Sequence, residues 1–395
     1  MKLLVVVSHS PFPPRSGSTI VAYNILRCLS ARHGITFLCL QPAGESIDVP
    51  GFLETAEFVS QTQVSGFVKG WQRRFGKLRG IPAIVSGVKS NSLSKRVREF
   101  MEHSNFDAIL LFAMEAIQYC PEPWYHKVIA FVEDPPSIKL SRLAELPVWS
   151  LWEKLHLSFT EHITRRYERQ FLPRMGKVLL LSEADMQDMQ EQDGYDNLGV
   201  VPYGVTTMPE DQIPGYGERT EGMIVFSGNM FHPPNVDGAL NFLRTVFSLV
   251  LQQYATAQLW IVGADPDTRI REEAARFGER VIITGWVNDV SEYLRRARVS
   301  ICPVRLKIGC QTKVLEALSC GTPVVTTSAG NSGIRGGSGR ELWVEDESAE
   351  FAGRIAALLR GEGWHQLSAN GRKFIEEYFP WERSAGAVEK HIESV

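Results

Sequence analysis

One segment of the sequence combines two cations with the start of a predicted helix. A predicted strand ends near Pro303, and a loop that contains Gly309 leads into a predicted helix beginning near Gln311. The first N–H groups of a helix have no partner within it and, together with the positive end of the helix dipole, attract anions. Arg305 and Lys313 place two positive charges beside this end. The segment therefore predicts a site for an anion such as a diphosphate.

A carboxylate follows in the same predicted helix. Lys313 and Glu316 are three residues apart, so their side chains share one face of the helix. A carboxylate one turn inside a phosphate-binding helix could accept hydrogen bonds from the vicinal hydroxyls of a ribose. A nucleoside diphosphate site is one interpretation, and a solvated surface turn with a Lys–Glu ion pair is the other. The spacing alone does not separate them.

The same segment resembles the donor-site motif of family 4 glycosyltransferases, which have the GT-B fold. Leu315–Val325 reads Leu-Glu-Ala-Leu-Ser-Cys-Gly-Thr-Pro-Val-Val, and Glu316 matches the second of two glutamates that the family carries eight residues apart. In the family this second glutamate binds the donor ribose. The first glutamate, which holds a hydroxyl of the donor sugar, would fall at Ile308 and is missing.

The spacing Arg-x3-Gly-x3-Lys-x2-Glu is similar to a sub-branch of that family, the exopolysaccharide-associated sugar transferases. The resemblance implies that Arg305 and Lys313 contact the donor diphosphate, and that these two residues and Glu316 are the catalytic ones. It also implies a retaining reaction that needs no metal and no cofactor. The donor-binding residues of the loop and helix start are then Gly309, Cys310, Gln311 and Thr312.

Two more loops resemble the phosphate-side loops of the family. The stretch 10–17 resembles the first loop of the family, where Gly17 would let the backbone approach the donor. The stretch 225–235 resembles the diphosphate loop, with Gly228 and Asn229 on the donor. A plain strand–helix turn at Gly17 and a helix cap at Asn229 are the alternatives.

A third loop, Gly285–Asp289, resembles the one that clasps the nucleotide base. Trp286 or Val287 would flank the base, and we assign Val287 to the binding site of the nucleotide-sugar donor. A tryptophan buried in the core is the alternative.

Three residues of the first half could serve the acceptor. His9 directly follows the first predicted strand, and Glu133 and Asp134 follow a later one. The acidic pair resembles an acidic turn of the sub-branch and could bind acceptor hydroxyls or act as a base. A structural histidine and a surface acidic turn are the alternatives. Where many family members carry a histidine in the cleft, this chain has Met114 or Glu115.

Two other segments have plausible functional and structural readings. Asp265-Pro-Asp267 imitates a metal-binding motif, but Asp267 is typical of a helix N-cap, so no metal site is expected. The stretch 69–79 has five basic residues, no acidic one and interleaved aromatics. It could rest on an anionic membrane surface or a lipid-linked acceptor, or it could be a solvated loop.

The elements that must position these residues alternate between strand and helix. Apolar runs without polar alternation are typical of strands buried on both faces of a parallel sheet. The predicted strands are Leu3–Val7, Ile35–Leu40, Ala108–Phe112, Val128–Val132, Val178–Leu181, Met223–Phe226, Gln258–Val262, Val281–Thr284, Ser300–Pro303, Pro323–Thr326 and Glu341–Val344. The predicted helices are Thr19–Arg32, Ser92–Glu102, Leu151–Arg169, Glu183–Gln190, Asn235–Gln252, Asp267–Phe277, Val290–Ala297, Gln311–Ser319, Ser348–Leu359, Trp364–Tyr378 and Pro380–Glu393.

This alternation occurs twice and predicts two Rossmann-like, doubly wound α/β domains. We expect an acceptor-side domain over 1–204, a donor domain over 205–379 and a last helix over 380–395 that crosses back to the first domain. Ligands of open α/β sheets bind beyond the carboxyl ends of the strands. Two such domains facing each other, as in the GT-B fold, predict a site in the central cleft.

Composition excludes several classes of protein. The 395 residues are 44% hydrophobic and 22% charged, with a formal net charge of −3, which is ordinary for a globular protein and too acidic for a nucleic-acid binder. No run of 18 apolar residues occurs, so no membrane-spanning helix is expected. The six cysteines have no CxxC spacing and predict reduced thiols in a cytoplasmic protein, with possible peripheral membrane contact.

The combined reading is a retaining, metal-independent glycosyltransferase. It would move a sugar from a nucleoside diphosphate sugar to a hydroxyl of a glycan, a lipid-linked molecule or a small molecule. A nucleotide-sugar epimerase on a similar scaffold is one rival. A non-catalytic, nucleotide-binding relative is the other, because Ile308 replaces an expected glutamate.

Overall fold

The chain forms two compact units. The computed structural model describes residues 1–14, 16–42, 47–53, 55–61, 76 and 79–395. The first unit comprises Met1–Ser141, Leu155–Gly204 and Trp381–Val395, and the second comprises Arg142–Lys154 and Val205–Pro380. Most of the basic stretch 69–79, namely 69–75 and 77–78, lies outside the described residues.

The segment 142–154 departs from the predicted domain 1–204, because it belongs to the second unit. Leu146 is buried there in a small apolar cluster with Leu306 and Ile308. Arg142 also donates a hydrogen bond to the carbonyl oxygen of Lys307. Burial of these apolar side chains holds the segment on the loop that carries Arg305, and nothing in its composition signals that long-range pairing.

The first unit is built on a seven-stranded, fully parallel sheet in the order β3-β2-β1-β4-β5-β6-β7. Its strands are β1 (Lys2–Val7), β2 (Gly34–Pro42), β3 (Thr55–Gln61), β4 (Ala108–Phe112), β5 (Val128–Glu133), β6 (Lys177–Leu180) and β7 (Leu198–Val200). Its described helices are α1 (Gly17–Ser30), α2 (Ala83–Ser86), α3 (Asn91–His103), α4 (Pro136–Glu145), α5 (Leu151–Phe171), α6 (Glu183–Asp193) and, after the second unit, α15 (Trp381–Ile392). The first turn of α5 is counted with the second unit.

The second unit has a six-stranded, fully parallel sheet in the order β10-β9-β8-β11-β12-β13. Its strands are β8 (Thr220–Ser227), β9 (Gln258–Val262), β10 (Val281–Gly285), β11 (Ala297–Cys302), β12 (Val324–Thr326) and β13 (Trp343–Val344). Its helices are α7 (Pro233–Asn241), α8 (Phe247–Gln253), α9 (Thr268–Ala275), α10 (Val290–Arg296), α11 (Thr312–Ser319), α12 (Ser328–Asn331), α13 (Ser348–Leu359) and α14 (Trp364–Tyr378). A π-helical turn, Phe242–Val246, joins α7 to α8.

The predicted parallel α/β class is confirmed, since every predicted strand and helix has a counterpart. Central strands such as β4 are buried over their whole length, which is why their sequences read as unbroken apolar runs. The sequence analysis missed β3 and β7. The first is the edge strand of its sheet and mixes polar with apolar residues, and the second has only three residues. Among the described residues, no helix combines the length and the hydropathy needed to cross a membrane.

Candidate functional site

Glycine marks the point where three neighbouring strands of the second unit end. Gly228 follows β8 and Gly263 follows β9, and the N–H of Gly263 donates to the carbonyl of Gly285 at the end of β10. Gly228 has a φ of 144°, and a Cβ there would lie 2.9 Å from Nδ2 of Asn235 and 3.1 Å from Cε of Lys313. Gly228, which the sequence analysis assigns to the nucleotide-sugar donor, therefore packs directly against the Lys313 side chain.

Lys313, the second residue of α11, is held by neutral groups. Its Nζ donates to Oδ1 of Asn235 at 2.8 Å and to Oε1 of Gln311 at 3.1 Å. It also lies 5.8 Å from the centre of the Phe226 ring. Because both amide partners are uncharged, they orient the ammonium group without neutralising it. A positive charge oriented in this way is suited to an anionic ligand.

Asn229 and Asn235 form one hydrogen-bonded turn. Nδ2 of Asn235 donates to the backbone carbonyl of Asn229 at 2.9 Å, and Oδ1 of Asn229 accepts from the N–H of Phe231 at 2.9 Å. Helix α7 begins later, after His232, so Asn229 stabilises the loop and is not its N-cap. The structure thus brings Gly228, Asn229 and Lys313 together, with Asn235 as the link between them.

The start of α11 is open to an anion. Gln311 is the N-cap residue, and its side chain makes no capping hydrogen bond to the first turn. The N–H of Lys313 therefore lacks the usual side-chain partner, and the N–H of Thr312, at the first position, has no acceptor within the helix. The preceding loop turns at Gly309, where φ is 50°, and Cys310 next to it is half-buried.

Glu316 lies one turn further along α11. Burial raises the pKa of its carboxyl, and the charge of Lys313 opposes that rise. Within the described part of the chain its carboxylate accepts no hydrogen bond that would offset the loss of hydration. Hydroxyl groups of a ligand that donate hydrogen bonds to this half-buried, poorly hydrated carboxylate would stabilise its charged form.

Arg305 lies differently from what the sequence analysis predicts. Its guanidinium donates from Nη2 and Nε to the two carboxylate oxygens of Asp237 at 2.6 and 2.8 Å. Asn235, which holds Lys313, and Asp237 are two residues apart on α7, so their side chains point to different sides of that helix. The two predicted cations are therefore held apart, and the charge of Arg305 is compensated. Asp237 precedes Arg305 by 68 residues, so no local pattern signals this pair.

The structure also tests the predictions made for Ile308 and Trp286. Ile308 is buried in the cluster with Leu146 and Leu306, so this position belongs to an apolar contact. Trp286 is 72% exposed, so the alternative of a buried core tryptophan is wrong. Val287 beside it is half-buried, and Asp289 caps α10 through the N–H of Ser291.

In the first unit, residues at the carboxyl ends of β1 and β4 contact each other. Oγ of Ser8 donates to Oε1 of Glu115 at 2.9 Å, and Nδ1 of His9 lies 3.7 Å from the same oxygen. The Glu115 side chain is 10% exposed and that of His9 is 65% exposed. The exposed His9 thus lies beside a nearly buried carboxylate, to which the sequence analysis assigned no role.

The adjacent strand β5 ends in Glu133. Oγ of Ser18, from the first turn of α1, donates to Oε2 of Glu133 at 2.6 Å. Burial raises the pKa of Glu133 to about 7, although the Ser18 hydrogen bond lowers it and Asp134 and Glu115 raise it further. Glu133 has a φ of 67° and Ala113, at the end of β4, has a φ of 69°. Strained backbone at two neighbouring strand ends is frequent at functional sites.

The remaining predicted residues near this edge have structural contacts. Asp134 lies 3.8 Å from Nζ of Lys139 on α4. Gly17 is the first residue of α1, and a Cβ there would meet no atom within 4 Å, so sterics do not require glycine at this position. In the second unit Asp267 accepts from the N–H of Arg269 as the N-cap of α9, as predicted. Among the described residues no group of three or more His, Cys, Asp or Glu side chains is placed to hold a metal ion.

Comparison with known proteins places these residues in context. Residues 221–361 match the family model of "Glycosyl transferases group 1". The chain is 24% identical over 371 residues to a phosphatidyl-myo-inositol mannosyltransferase of Mycobacterium leprae, which covers 90% of this chain and 87% of the relative. The matched region contains Gly228, Lys313 and Glu316, and these findings support glycosyltransferase activity.

Solved structures of similar fold cover nearly the whole chain. Sucrose-phosphate synthase from Thermosynechococcus elongatus superposes with a TM-score of 0.71 at 14% identity, over 99% of this chain and 98% of the other. Anabaena HepE, solved in complex with UDP and glucose, superposes with a TM-score of 0.66 at 13% identity, over 99% of both chains. With two parallel α/β sheets of seven and six strands, the chain has the GT-B fold.

Proposed function

We propose that this protein transfers a sugar from a nucleoside diphosphate sugar to an acceptor hydroxyl, with retention of configuration and without a metal. The arrangement of α11 carries the proposal. Its open N-terminus, the uncompensated ammonium of Lys313 and the desolvated carboxylate of Glu316 lie within two turns of one helix. This combination matches the parts of a nucleoside diphosphate, since phosphates need positive groups and a ribose needs a hydrogen-bond acceptor.

The chemical task of the site is to stabilise a leaving diphosphate. Negative charge develops on the phosphate oxygens as the bond to the sugar breaks. Lys313 and the N–H groups of Thr312 and Lys313 are oriented before the reaction, so they stabilise this charge without reorganising. Glu316 fixes the ribose and so sets the position of the phosphates. Arg305 contributes less than the sequence predicts, because Asp237 already compensates its charge.

The base-side loop and the acceptor side complete the proposal. Exposed Trp286 and half-buried Val287 offer an apolar surface to the base, and HepE, which binds UDP, makes uridine the first base to test. We assign the acceptor to the first unit, at His9, Glu115 and Glu133. A Glu133 carboxyl that titrates near neutral pH can both donate and accept hydrogen bonds to hydroxyls.

A lipid-linked acceptor would require contact with a membrane surface, and one helix offers a suitable face. Trp152 and Phe159 on α5 are 80% and 56% exposed, and Leu155 between them is 53% exposed. Trp152, Phe159 and the exposed Arg166 are spaced seven residues apart, so they follow one side of the helix. Exposed Trp, Phe and Leu side chains on a helix that also carries cations are typical of a helix that lies on anionic lipid.

Vesicle sedimentation tests this contact. We expect the protein to bind vesicles that contain anionic lipid and to lose at least tenfold in partitioning in Trp152→Ala. The matched control is Trp286→Ala, which removes a tryptophan that is 72% exposed and lies in a loop outside α5. Equal partitioning of the two variants, or no partitioning at all, would contradict the contact.

The transfer reaction itself is tested with candidate nucleotide sugars in metal-free buffer containing a chelator. We expect slow hydrolysis of one donor and release of its nucleoside diphosphate, with product stereochemistry read by NMR on the sugar. Lys313→Ala should abolish this release. Lys307→Ala, which removes an exposed cation from the same loop, should not. Binding of a donor without any turnover would instead indicate a non-catalytic relative, which the comparisons do not favour.

A further inference from the structure

A cavity of the second unit, separate from the cluster around Lys313, is lined by three arginines from different elements. Arg244 belongs to the π-helical turn, Arg269 to α9, and Arg305 to the loop after β11. Asp237 is the one carboxylate in the lining. The remaining lining residues are Pro147, Val148, Leu240, Asn241 and Thr245.

Each of the three guanidinium groups is held in place by a carboxylate. Arg244 donates from Nε to Glu273 at 2.7 Å, and Arg269 donates from Nε and Nη2 to Asp267 at 2.9 and 2.8 Å. Glu273 and Asp267 are not part of the cavity lining. They orient the guanidinium groups from outside and compensate their charges, as Asp237 does for Arg305, so the cavity wall offers oriented N–H donors and no excess of positive charge.

The guanidinium groups of Arg244 and Arg305 retain donors for a ligand. Nη1 of Arg269 instead donates to the carbonyl of Val148 at 3.3 Å. A guanidinium has five N–H donors in a fixed plane. Arg305 uses Nε and Nη2 on Asp237, and Arg244 uses Nε on Glu273, so Nη1 of Arg305 and both Nη atoms of Arg244 have no partner in the described structure. Several guanidinium groups converging on one space are suited to a phosphoryl group, whose oxygens accept paired hydrogen bonds.

Neutral polar groups and an unusual backbone belong to the same cavity. Asn241 and Thr245 line it, and Oγ1 of Thr245 donates to the carbonyl of Asn241. The π-helical turn that carries Arg244 adds a residue to the helix at this point. Such turns are rare in proteins, and those that occur are often found at functional sites.

We propose that this arginine cavity is a second anion site, which binds the phosphoryl group of a phosphorylated small molecule. It differs from the proposed donor site because it faces Asp237, whereas Lys313 is held by Asn235 on another side of α7. The proposal does not depend on the donor site, since the Lys313 side chain takes no part in it.

The experiment separates the two sites by titrating inorganic phosphate and UDP into matched variants, with calorimetry as the readout. In Lys313→Ala, we expect UDP binding to fall and phosphate binding in the millimolar range to remain. In the double variant Arg244→Gln/Arg269→Gln, we expect phosphate affinity to fall at least tenfold and UDP affinity to stay unchanged. Arg276→Gln is the control, because Arg276 pairs with the same Glu273 but does not line the cavity.

Three results would overturn the proposal: no phosphate binding by the wild type, unchanged phosphate affinity in the double variant, or loss of all phosphate binding in Lys313→Ala. The last would mean that phosphate binds the donor site alone. If the double variant does not fold, Arg244→Gln by itself decides, since Arg244 is an exposed side chain. Loss of UDP binding in Lys313→Ala with phosphate binding retained would support both sites independently.

Discussion

Replacement of Gly228 by alanine is expected to displace the side chains of Asn235 and Lys313 that pack against it. The added Cβ would lie 2.9 Å from Nδ2 of Asn235 and 3.1 Å from Cε of Lys313, both closer than ordinary van der Waals contact. In addition, a φ of 144° is a region that residues with a Cβ rarely adopt. The methyl group must therefore displace the amide, the ammonium group or the strand end.

The size of the effect follows from these two terms. A strained backbone conformation costs about 1–3 kcal/mol, which should appear as reduced stability against urea. Displacement of Lys313 should remove one charge-assisted hydrogen bond to the donor, worth about 1.5–3 kcal/mol, or roughly ten- to hundredfold in donor affinity. Urea unfolding and calorimetric titration of UDP measure the two terms separately.

Gly217→Ala is the matched control, because a Cβ at Gly217 meets no atom within 4 Å and its φ is not positive. We expect this variant to equal the wild type in both assays. Equal behaviour of Gly228→Ala and Gly217→Ala would refute the close packing of Lys313 on Gly228. A loss of stability with unchanged UDP affinity would support the backbone strain at Gly228 but would show that Lys313 does not contribute to donor binding.

The remaining predictions concern buried charges. Burial raises the pKa of Glu168 to about 7, so its contribution to stability is complete below pH 4.5, its pKa without burial, and is lost as the pH rises through 7. Glu168→Gln should therefore flatten the pH dependence of urea stability between these values, by on the order of 3 kcal/mol, and an unchanged slope would contradict the assignment. The buried Arg219 guanidinium donates to five backbone carbonyls and to Thr322. Arg219→Met removes all six hydrogen bonds, although the carbonyls of Leu294 and Gly321 keep Thr322 and Ser368 as donors, and should cost about 3–5 kcal/mol in urea unfolding, whereas a loss below 1 kcal/mol would show that water replaces the guanidinium. Asp237→Asn should free the charge of Arg305 and tighten phosphate binding in calorimetry; weaker binding would mean that the carboxylate's orienting role outweighs its charge.

The sequence predicts the scaffold well because burial on both faces of a parallel sheet leaves a plain signal. Ala108–Phe112 and Gln258–Val262 are strands with the predicted bounds. The edge strand β3 gives no such signal, because Thr55 is exposed, residues 56–59 are only half-buried, and polar and apolar types are mixed along the strand. The segment 142–154 misleads for another reason: its place depends on contacts with residues more than 150 positions later, such as Ile308.

The contacts of the candidate site are predictable between residues that are close in sequence, but not between residues that are far apart in sequence. Lys313 and Glu316 share a helix, so their spacing predicts their common face. The pairing of Arg305 with Asp237 and of Lys313 with Asn235 joins elements about 70–80 residues apart. In the first unit Ser8 and Ser18 carry no sequence signal, although they hold the carboxylates of Glu115 and Glu133.

The most direct measurement is a calorimetric titration of nucleoside diphosphates, beginning with UDP, in metal-free buffer. Wild type, Lys313→Ala, Glu316→Ala and the control Lys307→Ala are compared under one set of conditions. We expect one diphosphate to bind the wild type and the control equally, and to bind each of the other two at least tenfold more weakly while their urea stability is retained. Wild-type affinity in both Lys313→Ala and Glu316→Ala, or no binding of any nucleoside diphosphate to the wild type, would contradict the assignment of the donor site to α11.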